Sequence, residues 1–353
     1  MQQRQLGRSG LRVSTMALGT ATFGGVGGFA RVGSVETDEA RSMVDAFLEA
    51  GGNLIDTADA YSDGRCEEIV GEVLEGRRDD VLIATKARFA MGAGPNDAGL
   101  SRHHLIRAVE ASLTRLRTDH IDLYQLHEWD GVTPVEEFAS ALDDLVRAGK
   151  IRYVGVSNFA GWQLMKSLAA QDAHGWTRFV SQQINYTLQS RDAEAELVPL
   201  SVDQGLGILI WGPLAGGLLS GKYRRDSWPK EGRHLTDWGE PPVRDAYRLY
   251  ATVDALTEIG EAHEVSAAQV ALAWLLAQPA VTSVILGARR LDQLTDNLAA
   301  ASLTLTTSDL ARLEQVSRPS LPYPQWHQVK HAADRLGPAD LAGLRPYLGP
   351  SQG

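Results

Sequence analysis

Eight short apolar runs, each followed by a helical stretch, constrain this chain more than any other feature. The runs lie at 13–19, 53–56, 81–85, 121–126, 151–156, 178–183, 207–211 and 281–286 of the 353 residues. Apolar runs this short, separated by amphipathic helices, read as strands of a parallel sheet covered on both faces. Eight such units in one chain suit a closed (β/α)8 TIM barrel better than an open doubly wound sheet. A hairpin around Gly7 to Gly10 precedes the first strand. The helix after the first strand begins at Thr37 as N-cap, carries Asp38 and Glu39 in its first turn, turns Met43, Phe47 and Leu48 inward, and stops at Gly51 and Gly52. Further helices are expected near 67–74, 101–116, 134–149, 160–170, 192–204, 244–262 and from Leu291 onward. The expected organisation is one barrel domain over 1–353, with extended loops on its C-terminal face and a tail over 318–353. The connection from Lys222 to Val243, with Trp228 and Trp238, is too long for a routine barrel loop and reads as a lid or pocket wall. The tail, with Tyr323, Trp326 and His327, either closes one end of the barrel or wraps its surface.

The strand ends carry the chemistry. In a barrel of this kind the C-terminal strand ends converge on one face, where polar side chains read as functional. The stretch GGNLIDTADAY delivers Asp56 and Tyr61, the run ending at Thr85 delivers Lys86, and the run ending at Leu126 delivers His127. A phenol with a pKa near ~10 is a poor proton donor at neutral pH unless something stabilises its phenolate, and a nearby ammonium does so. Lys86 is the expected ammonium, Asp56 its counter-ion and His127 the donor that orients a substrate oxygen. Tyr61 then becomes a general acid aimed at a carbonyl oxygen. Protonating that oxygen pairs with hydride delivery to its carbon, and a nicotinamide is the natural hydride source.

Other signals exclude more than they assign. A net charge of -10 argues against nucleic acid or an anionic membrane as the main partner. Cys66 is the only cysteine, so no intramolecular disulfide forms and a reducing cytoplasm is the expected location, with Cys66 an inert side chain rather than a reactive thiol. No run approaches the ~18 apolar residues of a membrane helix. Gly25, Gly27 and Ala30 match the dinucleotide fingerprint GxGxxA, yet no helix opens there to hold a pyrophosphate. Gly216 to Lys222 mimics a nucleotide-phosphate loop, but Tyr223 stands where a magnesium-binding hydroxyl is required. Phe159 replaces the second glycine of a nucleophile elbow in GVSNF, and His103 and His104 point apart on a helix, so neither a hydrolase nor a metal site is expected. Phe23 and Trp129 either line a substrate pocket or pack in the interior.

Together these motifs resemble the aldo-keto reductases. The resemblance runs from about Leu6 to Leu313 and rests on GGNLIDTADAY, ATK with Lys86, DLYQLH, GVSNF, SQQINY, WGPLAGGLLSGKY and ILGARRLDQLTDNLAA. It implies NADP(H) lying extended across the barrel mouth. Asp56 and its neighbours Gly19 and Thr20 would border that cofactor. Ser157, Asn158 and Gln183, preferred over Gln182, would bind the nicotinamide carboxamide. Trp211 would stack on the ring. Gly212, Pro213, Leu214, Gly216, Gly217 and Lys222 would surround the pyrophosphate. Gly287, Arg289, Gln293 and Asn297 would receive the adenine end, Arg289 reading the 2′-phosphate by bidentate geometry. The implied activity is reversible reduction of aldehydes or ketones. A second reading is a redox-sensing module like the β-subunits of potassium channels, which resemble the WGPLAGG and GARRLDQL regions but carry an asparagine where this chain has His127.

Overall fold

The computed structural model describes residues 1–230, 232–235 and 239–348; Trp238 and the last residues of the tail lie outside the described residues. Eight parallel strands close into a barrel: β1 Met16–Gly19, β2 Leu54–Asp56, β3 Leu82–Ala87, β4 Ile121–Leu126, β5 Ile151–Ser157, β6 Ser181–Asn185, β7 Gly207–Trp211 and β8 Val281–Gly287. They pair in chain order and β8 closes on β1, with Leu286 opposite Leu18. An antiparallel hairpin, Gln3–Gln5 with Arg12–Ser14, precedes them.

The run expected as one strand at 13–19 is therefore two. Ser14 ends the hairpin, where its amide donates to Asn53 Oδ1 at 2.7 Å, and the chain turns into the barrel at Met16. The hairpin plugs the N-terminal end: Leu6 and Val13 share one buried cluster with Ala17, Leu54, Ala84, Leu123, Leu209 and Ile285, which project into the barrel interior. Only glycine fits the hairpin turn at Gly7, because its φ is +57° and a Cβ would lie 2.3 Å from the Val180 carbonyl oxygen.

Helices cover the outside and bury their apolar faces on the strands in a second, larger core. They are α1 Thr37–Glu49, α2 Arg65–Val73, α3 Arg102–Arg115, α4 Val135–Arg147, α5 Gly161–His174, α6 Leu197–Gln204, α7 Ala246–Ala262, α8 Ala267–Leu276, α9 Leu291–Ala299 and α10 Thr307–Ser317. Glu36, not Thr37, caps α1, and the Thr37 hydroxyl instead donates to Glu72 at 2.8 Å. Leu48 is only partly buried. The sixth strand begins at Ser181, three residues after the expected start, because Arg178 and Phe179 bond to Gln204 and Gln171. α8, absent from the sequence reading, is apolar nearly all round and so shows no helical stripe.

The tail adds α11 Gln325–His331 and α12 Pro338–Leu344. α12 packs on α6, where a Cβ on Gly343 would lie 2.2 Å from the Glu194 carbonyl oxygen, and Gln325 donates to the Ala195 carbonyl at 2.7 Å. Of the two expectations for the tail, the described part follows the second: it wraps the barrel flank, and none of it lines the cavity at the mouth.

Candidate active site

A cavity of about 1180 Å³ opens at the C-terminal mouth of the barrel. Three strand ends bring the expected polar residues together there. Asp56 ends β2, Lys86 lies one residue inside the end of β3 rather than beyond it, and His127 follows β4. Tyr61 opens a short turn in which Ser62 and Asp63 take left-handed backbone angles, φ 49° and 52°, and this tight turn folds the phenol back over the strand ends.

Lys86 is fully buried and its three ammonium protons are all aimed at oxygens. Nζ donates to Asp56 Oδ1 at 2.6 Å, to the Thr57 carbonyl at 2.8 Å and to the Tyr61 hydroxyl at 3.4 Å. Burial is the largest influence on Lys86 and works to lower its pKa, but Asp56 and Tyr61 together outweigh it and hold the ammonium above its ordinary value. The other Asp56 oxygen accepts from Gln183 Nε2 at 2.8 Å and Gln125 Nε2 at 3.3 Å. The carboxylate is thus bonded on both oxygens, as a buried charge must be.

For Tyr61 the expectation of a more acidic phenol is not met. Burial raises its pKa above the ordinary value, the Lys86 charge opposes the rise and Asp56 adds to it. What Lys86 supplies is a differential effect: it favours the phenolate over what the same burial would allow without it. His127 stands beside Tyr61, ring centroids 5.7 Å apart. Burial, then the charges of Lys86 and Arg88, holds the imidazole well below its usual pKa, so it is neutral, and its Nδ1 is buried without a partner among the described residues.

The residues expected at the cofactor gather along the same cavity. Gly19, Thr20, Ser157, Asn158, Gln183, Trp211, Gly212, Pro213, Leu214, Gly216, Gly217, Lys222, Gly287, Arg289, Gln293 and Asn297 all line it. The Ser157 hydroxyl is buried without a partner among the described residues. Asn158, at φ 56°, accepts from the Trp211 indole at 2.9 Å and donates to the His127 carbonyl at 3.2 Å, so its side chain braces the acid–imidazole end against Trp211. Gly216 and Gly217 have φ of 65° and 97°, and a Cβ on Gly216 would meet His234 Nε2 at 2.8 Å. His234 belongs to the long connection, which folds over this segment; Gly232, Arg233 and Glu240 from the same connection wall the cavity. At the far end Lys222, Arg233, Arg289 and Arg290 share the lining. Burial, then Arg289, Arg233 and Arg290, lowers the Lys222 pKa, and burial followed by Arg289 lowers that of Arg233. Cations that depress one another in this way suit a polyphosphate. The Arg289 guanidinium spans to the loop after β1, donating to the carbonyls of Val32 at 2.9 Å and Arg31 at 3.2 Å. A nicotinamide dinucleotide, with or without a 2′-phosphate, fits these residues: a hydroxyl without a partner among the described residues at one end, glycines with no Cβ in the middle and a cationic corner at the other.

The two aromatics offered for the pocket are elsewhere. Phe23 is fully buried in the core under the first loop, and Trp129 packs edge-on against Phe138, Phe159 and Trp162. Phe29 and Phe89 take the place assigned to them, at 4.9 Å from the Tyr61 ring and 4.7 Å from the His127 ring. Glu128 also lines the cavity. The usable signal was adjacency: Phe89 lies three residues after Lys86, and Glu128 directly follows His127. Cys66 is buried among Thr20 and Thr57 and its thiol is pushed up to about 12, chiefly by burial, so it is inert.

A barrel whose mouth gathers a phenol, a buried ammonium and an imidazole beside a cationic corner is the arrangement of a barrel-type oxidoreductase. The comparisons with known proteins make the class specific. The Aldo/keto reductase family model matches residues 15–318, and the chain belongs to that family. It is similar to an uncharacterized oxidoreductase of Bacillus subtilis, 39% identical over 329 residues, 90% of this chain and 96% of that protein. A probable voltage-gated potassium channel subunit beta of Arabidopsis thaliana is 35% identical over 336 residues, 91% of this chain and 99% of that one. Norsolorinic acid reductase of Emericella nidulans is 36% identical over 315 residues, 87% of this chain and 79% of that one. No helix among the described residues is long and apolar enough to cross a membrane.

Proposed function

We propose that this protein is an NADP(H)-dependent reductase of aldehydes and ketones, reversible as an alcohol dehydrogenase, with Tyr61 as general acid. The observation that carries the reading is the chain of contacts from Asp56 through Lys86 to the Tyr61 hydroxyl, set beside a neutral His127 in one cavity. When bound, the dihydronicotinamide supplies the hydride that forms the new C–H bond. Ser157 offers its hydroxyl to the carboxamide, and Gln183, its amide nitrogen held by Asp56, offers its carbonyl oxygen. Trp211, steadied by Asn158, presents a flat face to the ring. His127 donates a hydrogen bond to the substrate oxygen, and Tyr61 transfers its proton there as the C=O π bond breaks. Lys86 stabilises the phenolate left behind, which regains a proton from solvent. Lys222 and Arg289 hold phosphate charge at the cationic corner, and a guanidinium there favours NADP(H) over NAD(H). A cytoplasmic location belongs to the same reading and is supported by a single, buried cysteine.

The Arabidopsis relative motivates a second reading, an NADP(H)-binding regulatory module. His127 and the complete set of four polar residues favour the enzyme. Purified protein mixed with NADPH and a panel of aromatic and aliphatic aldehydes separates the two: the reductase consumes nicotinamide absorbance, whereas tight NADPH binding with no turnover across the panel favours the module.

A further inference from the structure

The wall beside His127 carries a group that carbonyl reduction itself does not use. Glu128 leaves β4 next to the imidazole, lines the cavity and is half-buried. Among the described residues its carboxylate forms no ion pair; the contact it has is a long one, 3.3 Å, from the Trp129 amide. Burial pushes its pKa up, against the Trp129 amide and the Arg88 charge. Arg88 is the cation on the adjoining loop, and it is engaged elsewhere, its Nε donating to the Trp129 carbonyl at 3.3 Å and its guanidinium lying 5.6 Å from the Phe89 ring centre. Lys86 is taken up by Asp56, and Arg233 belongs to the cationic corner, where Arg289 and Glu240 act on it. Phe29 and Phe89, packed against the Tyr61 and His127 rings, give the same space apolar walls. A flat ring seated between them with its carbonyl at Tyr61 shares its cavity with the Glu128 wall.

We propose that Glu128 selects the substrate: the site takes flat, ring-bearing carbonyl compounds with a hydroxyl or a positive charge away from the carbonyl and turns away those with a carboxylate there. The inference rests on the reductase reading and deepens it. A half-buried carboxylate outside any ion pair among the described residues gains a charge-assisted hydrogen bond from a phenolic O–H, while a second carboxylate brought beside it is repelled and must be desolvated as well. A site built around such a group discriminates against ligands that leave it unpaired.

The test compares kcat/KM for para-hydroxybenzaldehyde and para-formylbenzoate, each normalised to benzaldehyde, in the wild type and in Glu128→Gln, with binding of the same aldehydes to NADPH-loaded protein read in parallel by tryptophan fluorescence. The wild type is expected to prefer the hydroxyl compound to the carboxylate by at least about tenfold, the range of a hydrogen bond to a charged group. Glu128→Gln should narrow that ratio by about tenfold, mostly by admitting the carboxylate. A wild-type ratio near one, or a ratio that Glu128→Gln leaves unchanged, overturns the proposal. Binding separates the two layers: a shifted binding ratio without turnover keeps the selection by Glu128 and sinks the reductase, whereas turnover of benzaldehyde with a flat ratio keeps the reductase and sinks the selection.

Discussion

Asp59 is a buried acid with no role in the chemistry above, and replacing it by Asn gives a prediction whose size follows from the structure. The residue sits three positions after Asp56, fully buried, with its amide donating to the Lys86 carbonyl at 3.0 Å and both carboxyl oxygens unpartnered among the described residues. Burial, then the neighbouring Glu67, raises its pKa from 3.8 to about 8, against the Ala60 amide and the charges of Arg115 and Lys86. At pH 7 the folded protein therefore holds a proton there that the unfolded chain has released. Stability from this group is complete below the unfolded value near 3.8 and declines as pH rises toward the folded value near 8. The decline is about 1.4 kcal/mol for each pH unit and amounts to about 4 kcal/mol at pH 7. Asp59→Asn has the same shape and no such slope. In urea unfolding at pH 5.5, 6.5 and 7.5, the variant should gain on the wild type by about 1.4 kcal/mol per pH unit, levelling off above about pH 8. Any constant offset from the amide's own unmade hydrogen bonds leaves that slope intact. A stability difference independent of pH would refute the reasoning, because it would mean that Asp59 is ionised in the fold and has found a partner.

Three further outcomes are expected. Tyr61→Phe should lower kcat for carbonyl reduction by ~10²-fold or more while the dissociation constant for NADPH stays nearly the same; substantial retained turnover would remove Tyr61 as the proton donor. Lys86→Met should lose activity comparably, leave Asp56 without its cation at a cost of about 3–5 kcal/mol in unfolding free energy, and move the alkaline limb of any residual pH–rate profile upward. The sign follows from the charges: reduction needs the protonated phenol and falls as pH rises through its pKa, and the ammonium opposes the rise that burial imposes on that pKa. Arg289→Ala should weaken NADPH by at least about tenfold and NADH little, as loss of a charge-assisted phosphate contact requires. Equal weakening of both would mean that Arg289 acts instead by tethering the Arg31 and Val32 carbonyls.

Much of the barrel is legible in the chain because each strand is a short apolar run buried on both faces and bounded by glycine or a charged helix start. The ranges 121–126 and 207–211 match the structure to the residue. Where the local signal is mixed, the reading slips. Arg178 and Phe179 look like strand but are drawn into bonds with Gln204 of α6 and Gln171 of α5, and α8 hides because a helix buried on all sides has no polar face to betray its period. The four polar residues at the mouth were legible as residue types at strand ends, since the barrel topology sends every such end to one face. Their order along a line, Asp56 to Lys86 to Tyr61, required the left-handed turn at Ser62 and Asp63.

The chain alone determined the barrel, its closure and the arrival of the polar strand-end residues Asp56, Lys86 and His127 at the mouth, because strand–helix alternation and period are local properties. Which aromatics wall the cavity was decided by the tertiary structure. Phe23 and Phe29 lie in one glycine-rich loop, and only the packing of that loop sends the first into the core and the second against Tyr61. The same holds for Glu128 and Trp129, adjacent in sequence, one turned to the cavity and the other to Phe138 and Phe159. Burial also reversed the expected shift of the Tyr61 phenol: desolvation depends on everything packed around a group, and no stretch of sequence carries that sum.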